Sequence, residues 1–345
     1  GYTTQGWRQD EEAGEAIYKA GDNYQLTKDV EFYGVYTRNI TIGYVSNGGT
    51  TTPASESKKV YYNTAQNEED VKAEFTLADK LTKEGYTFQG WLVENSGILY
   101  EANSTIEIKK NTKMYASYKT NSYKVTYNYE ANGGESVSVR SANVAYLGSV
   151  DLSVTAYKSG YEFIGWSKEA NSTKIVESVE MPSEDITLYA VYRKAIEATW
   201  VLTDANAGNI TTNKTTCYMY NESANCKIGT GKVEVNEGYE ITGWTENQGD
   251  ITVQVSNNSQ TGVSENKVYY SISRETDPNV GTFYYPQIAI DEETGDTLEE
   301  IVIGTKTSSC YLYNGAKKCT ITEPIKPTNY EGGVFDGWTY EKEKL

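Results

Sequence analysis

The stretch GYTFQGW at residues 85–91 decides how this chain is read. As a strand it sends Tyr86, Phe88 and Gly90 to one face and Trp91 to the other. A glycine inside a strand marks a bulge or a close backbone approach. A bulge at Gly90 predicts that Trp91 swings round to join Phe88 in one small core. The heptapeptide returns as GYTTQGW at 1–7, GYEFIGW at 160–166, GYEITGW at 238–244 and GGVFDGW at 332–338. Its tryptophans, Trp7, Trp91, Trp166, Trp244 and Trp338, are 84, 75, 78 and 94 residues apart. Those gaps exceed the roughly 20–50 residues of a solenoid unit. They suit a string of small domains, each with its own core. In a domain of about 75–80 residues one large aromatic counts heavily, because little other apolar surface is available. The five tryptophans are therefore read as core anchors rather than as exposed platforms for a sugar ring.

Other features recur in phase with the heptapeptide. A strand ending in a Gly turn precedes each complete copy: ITIGYVSNGG at 40–49, VTYNYEANGG at 125–134 and TWVLTDANAG at 199–208. A second alternating segment follows: VEFYGVY at 30–36, TKMYASY at 112–118, ITLYAVY at 186–192 and NKVYYSIS at 266–273. One unit thus runs opening strand, Gly turn, variable segment, Gly-Trp strand, loop, closing strand. Complete units span 39–121, 122–195 and 196–277. Residues 1–38 hold the back half of a unit, and residues 278–345 the front half of another. This predicts a window on a longer array. The second reading is a head-to-tail assembly of copies of the same protein, but both half units hold a Gly-Trp strand, so they overlap rather than complement. In the first complete unit, residues 67–86 (NEEDVKAEFTLADKLTKEGY) begin acidic and end near a glycine, which predicts a crossing helix or two short helical pieces.

The pattern of NGG, GYxFxGW and xTLYAVY resembles the Listeria–Bacteroides repeat family, the B-repeat type of internalin-like bacterial surface proteins. The resemblance spans essentially the whole chain. It is clearest at 122–195, where NYEANGG, GYEFIGW and MPSEDITLYAVY follow the pattern nearly throughout. It implies small β-grasp-like domains, mainly β with an α component, used in tandem on secreted or wall-attached proteins. It implies no catalysis and supplies no site residues. Residues 196–277 and 278–345 depart from the pattern by carrying cysteines.

The cysteines form two matched segments, CYMYNESANC at 217–226 and CYLYNGAKKC at 310–319. Metal sites prefer closer pairs, often with histidine. The spacing therefore favours two local disulfides, Cys217 to Cys226 and Cys310 to Cys319, over free thiols. Disulfides imply an oxidising, extracellular setting. Each segment reads as a bridged hairpin at one position of two adjacent units. It is either a staple or a rigid finger whose Tyr218, Tyr220, Tyr311 and Tyr313 make contacts.

Charge and composition narrow the rest. Asp and Glu number 48 against 31 Lys and Arg, for a net charge of −17. That disfavours nucleic acid and anionic lipid as partners. No apolar run approaches the length of a membrane span. The chain has no histidine, so the usual general base near neutral pH is missing. No cofactor or metal motif is present. The acidic stretch IDEETGDTLEE at 290–300 lacks EF-hand spacing and reads as a solvated turn. Seven N-x-S/T sequons, at Asn39, Asn103, Asn171, Asn209, Asn213, Asn221 and Asn257, read as chance in an Asn- and Thr-rich chain. The expectation is a non-catalytic stalk or fibre on the cell surface. Its partners would be neighbouring repeats or copies of the same protein. The runner-up is an adhesin that binds a host or cell-surface glycan or protein through its last two units.

Overall fold

The structure is a computed structural model that describes residues 1–290, 293–294 and 297–322. It is built almost wholly of strands in several small sheets, with three short 3-10 turns as its helical segments among the described residues. It divides into two compact units. The first comprises Gly1–Ala131, Ser136–Ala156 and Gly165–Ala190. The second comprises Asn132–Glu135, Tyr157–Ile164 and the described residues from Val191 onward.

In the first unit the strand Tyr33–Val45 organises the sheet. It pairs antiparallel with Thr3–Arg8 and with Glu56–Asn63, and parallel with Thr112–Thr120. Thr112–Thr120 in turn pairs antiparallel with the Gly-Trp strand Tyr86–Val93. Between Phe88 and Gly90 the register shifts by one residue. This is the bulge expected from the sequence, and it brings the Phe88 and Trp91 rings to 5.4 Å. Gly90 holds φ +144°, and a Cβ there would stand 2.5 Å from the Tyr100 carbonyl oxygen. Only glycine admits this approach, because Trp91 pairs its own backbone with Tyr100.

Trp91 is fully buried with Ile40, Ile42, Tyr44, Phe75, Leu77 and Met114. Its indole Nε1 donates to the Ala78 carbonyl at 2.8 Å, so the ring is buried without an orphaned donor. In the same unit Trp166 repeats the arrangement. It is buried, stands 5.0 Å from the Tyr127 ring, and donates to the Val154 carbonyl at 2.7 Å.

The expected helix at 67–86 is not formed. Glu68–Asp70 make one 3-10 turn, and Ala73–Thr76 is a strand paired with Thr105–Ile108. The burial explains it: Val71, Ala73, Phe75 and Leu77 are buried, while Lys72, Glu74 and Thr76 are exposed. That is the two-residue period of a strand, not the 3.6 of a helix. The α component of a β-grasp-like domain is thus missing from this segment, and the mainly-β class stands.

In the second unit the residues of strand Ile186–Val201 from Val191 onward pair antiparallel with Lys214–Tyr220 and parallel with Lys267–Glu275. Lys267–Glu275 carries the Gly-Trp strand Tyr239–Thr245, with a register shift between Ile241 and Gly243. The core gathers Ile196, Ala198, Trp200, Met219, Ile228, Trp244 and Tyr269. Trp200 stacks on Tyr269 at 4.6 Å and meets Trp244 edge-on at 5.0 Å. The Trp244 indole N–H is buried with no acceptor.

Candidate functional site

The tryptophans sort by what covers them. Trp91, Trp166 and Trp244 are at most 1% exposed. Each packs against an aromatic residue of an opening strand: Tyr44, Tyr127 and Trp200 respectively. Trp7 departs from the expected core role, being 38% exposed. Residues 1–38 bring it no such opening strand. A triad of Tyr18, Tyr24 and Phe32, mutually edge-to-face at 5.2–5.4 Å, stands beside it. These rings line a cleft of about 480 Å³ together with Trp7, Lys19 and Asp22. Trp338 lies outside the described residues.

Both cysteine segments are closed by disulfides, Cys217–Cys226 and Cys310–Cys319, each with a Cα–Cα separation of 5.9 Å. Neither cysteine strand of 217–226 pairs with the other. Lys214–Tyr220 pairs with Ile186–Val201, and Cys226–Gly229 pairs with Gln260–Val263. The segment is therefore tied into a different sheet at each end rather than projecting as a finger.

Its tyrosines are engaged with the neighbouring strand. The Arg193 guanidinium lies 4.9 Å from the Tyr218 ring centroid. The same guanidinium forks onto Glu162, with Nε donating at 2.7 Å and Nη2 at 3.2 Å. Tyr220 sits opposite Arg193 in the ladder. Asn221, in the left-handed region at φ +51°, follows the end of the strand Lys214–Tyr220. Its N–H donates to the Tyr192 carbonyl at 2.9 Å, and its Oδ1 accepts from the Tyr192 N–H at 3.0 Å.

The second cysteine segment repeats this arrangement. Arg274 lies 4.1 Å from the Tyr311 ring centroid, donates Nε to Glu240, and reaches the Tyr313 hydroxyl with Nη1 at 3.4 Å. Asn314, at φ +52°, exchanges two hydrogen bonds with Ser273, both at 2.9 Å. Sequence reading singled out the tyrosines but missed Glu162, Arg193, Glu240 and Arg274. The signal was available: Glu follows Gly-Tyr in GYE at 160–162 and 238–240, but Thr does so in GYT at 1–3 and 85–87.

Acid–base chemistry finds little support in the carboxyl groups whose titration is displaced. Glu162 is held low by Arg193, Asp10 by Arg8, Asp79 by the Lys80 N–H, Asp151 by Ser153 and Asp250 by the Thr252 N–H. A general acid needs the opposite displacement. Among the described residues no three His, Cys, Asp or Glu side chains converge to hold a metal ion. Of the acidic stretch at 290–300, residues 291–292 and 295–296 lie outside the described residues. No helix among the described residues is long and apolar enough to cross a membrane.

Comparison with known proteins bears on the repeats directly. The family model of the Listeria–Bacteroides repeat domain matches residues 41–117 and 123–191. Over 195 residues, 55% of this chain, the sequence is 30% identical to a protein of Evansella cellulosilytica provisionally named a Gly-rich membrane protein. Over 116 residues, 33% of this chain, it is 29% identical to internalin H of Listeria monocytogenes. Each match covers 20% of the relative's own length. Residues 41–117 and 123–191 are thus two repeats of the Listeria–Bacteroides type.

Proposed function

We propose that this chain is a non-catalytic tandem-repeat segment of a larger bacterial cell-surface protein. It acts as a stalk or fibre that supports adhesion. One observation carries the reading: consecutive repeats are joined by strand, not by linker. Tyr33–Val45 is the closing strand of residues 1–38 and the opening strand of residues 39–121 at once. Thr112–Thr120 and Ser122–Asn128 are separated by Asn121 alone. Such joints leave a chain few soft dihedrals at which to fold back. Burial of Trp91, Trp166 and Trp244 further supports spacing over ligand stacking. The unit boundaries 39–121, 122–195 and 196–277 belong to the same proposal.

Small-angle scattering tests it. A compact globule of this length has a radius of gyration of roughly 20 Å. The stalk reading expects a value well above that, with one sharp maximum dimension. A value near the compact limit overturns it. The adhesin reading keeps one observation in its favour, the 43% exposure of Tyr218. Saturable binding to a glycan array, lost in Tyr218→Ala, would establish that reading instead.

A further inference from the structure

We propose that the Glu–Arg pair on a repeat and the CYxYN segment of the following repeat form a matched docking pair, which fixes adjacent repeats to one another. The surface is the end of a closing strand that carries Arg beside a GYE heptapeptide. The partner that fits it is a disulfide-closed CYxYN segment. This inference stands whether the chain is a stalk or an adhesin.

The two joints use the same parts in the same order. Arg193 and Arg274 each join a carboxylate on the Gly-Trp strand to a tyrosine ring of the next segment. Asn221 and Asn314 each clamp the residue just before that arginine with a pair of backbone hydrogen bonds. A left-handed Asn is well suited to this, because its short amide bonds the neighbouring backbone while the chain reverses. The contacts lie between repeats: Glu162, Tyr192 and Arg193 precede residue 196, and Tyr218 and Asn221 follow it.

The remaining junctions supply the comparison. In residues 1–38 the ladder positions corresponding to Glu and Arg are Thr3 and Thr37. In residues 39–121 they are Thr87 and Lys119. Neither is followed by a cysteine segment; the first cysteine in the chain is Cys217. So Glu, Arg, the tyrosines and the disulfide occur together or not at all. A disulfide serving only as a local staple would not require Glu and Arg on the preceding repeat. A docking element would, because the closed loop holds its tyrosines and asparagine in place before contact and lowers the entropy cost of docking.

The test uses the full chain and dithiothreitol. Reduction of each bridge is followed separately by timed alkylation and peptide mass spectrometry. Cys217 is buried and Cys226, Cys310 and Cys319 are half-buried, so opening of a joint exposes its bridge further to attack. Arg193→Ala removes both the ring contact and the charge-assisted bonds. It is expected to speed reduction of Cys217–Cys226 about tenfold and leave Cys310–Cys319 within about twofold. Arg274→Ala is expected to give the reverse. Arg193→Lys, which keeps the charge but loses the planar fork, should fall between. The proposal is overturned if neither bridge responds to its own arginine. It is equally overturned if both bridges speed up together in either variant, which would mark general loosening.

Discussion

Gly85 and Gly160 open their heptapeptides with the same backbone, φ +72° in each. Their surroundings differ. A Cβ on Gly160 would meet nothing within 4 Å, whereas a Cβ on Gly85 would land inside the Tyr146 ring. Replacing either by Ala costs about 1–2 kcal/mol for an L residue in the left-handed region. Gly85→Ala must also push Tyr146 aside. That ring stands edge-on to Tyr86 at 5.7 Å, a geometry worth roughly 0.5–1.5 kcal/mol. Moving it strains the Tyr146 N–H bond to the Asn121 carbonyl, 2.9 Å long, at a net cost of about 1 kcal/mol. The expected difference between the two variants is therefore about 2 kcal/mol, more than a tenfold change in local opening. Hydrogen exchange of the full chain reads it at Asn121, whose N–H donates to the Gly85 carbonyl. In a Tyr146→Ala background the extra cost should vanish and Gly85→Ala should behave like Gly160→Ala. Equal effects in the wild-type background, or no relief in the second, would refute the reasoning that the Tyr146 ring seats against Gly85.

Three further outcomes are expected. Trp91→Phe should cost about 1–2 kcal/mol more than Trp244→Phe in urea denaturation, because it strands the Ala78 carbonyl, whereas the Trp244 N–H has no acceptor to lose. Reducing both disulfides should destabilise the second unit by about 3 kcal/mol per loop and leave exchange around Trp91 unchanged. Hydrogen bonds from Arg193 lower the Glu162 pKa, so its contribution is complete above the unfolded value near 4.3 and is lost as pH falls through the lower folded value. Exchange at Tyr192, corrected for intrinsic pH dependence, should therefore rise in acid, and Glu162→Gln should flatten that rise.

What the sequence discloses here depends on whether a signal is carried by one segment or by two. The bulge at Gly90 and the burial of Trp91 were legible, since Gly before Trp on a strand sets both locally. The strand at Ala73–Thr76 was also written in its own residues, as buried Val71, Ala73, Phe75 and Leu77. It was misread because acidic residues at 68–70 and a glycine at 85 imitate helix ends. Period, measured over the apolar positions, outranks such end signals. Exposure of Trp7 was legible only outside its own heptapeptide, in the half unit of residues 1–38 that holds no opening strand. Its heptapeptide matches the others, and the difference lies in the opening strand that would cover it. The docking arginines were missed although GYE against GYT marked their carboxylates, since each needs a carboxylate about 30 residues before it and a tyrosine about 25–40 residues after it in a hairpin-rich chain.

The strand Tyr33–Val45 shows how two cores can be served by one element. Val35 and Thr37 are buried on its first half, and Ile40, Ile42 and Tyr44 on its second. Buried positions are odd-numbered before Arg38 and even-numbered after Asn39, so the strand exchanges its buried face at that point. Side chains alternate with a period of two, and a slip of one residue moves a whole set to the other face. The first half therefore serves the sheet with Thr3–Arg8, and the second places Tyr44 against Trp91. Asn63 reinforces the switch, its buried amide donating to the Asp10 and Glu12 carbonyls at 3.0 and 2.9 Å. A repeat of this kind need not be closed by its own residues alone. Trp91 and Trp244 are covered by an aromatic on a strand that begins before residue 39 or residue 196, whereas Tyr127, which covers Trp166, lies on Ser122–Asn128; the change of face at residues 38–39 assigns each half of Tyr33–Val45 to its own core.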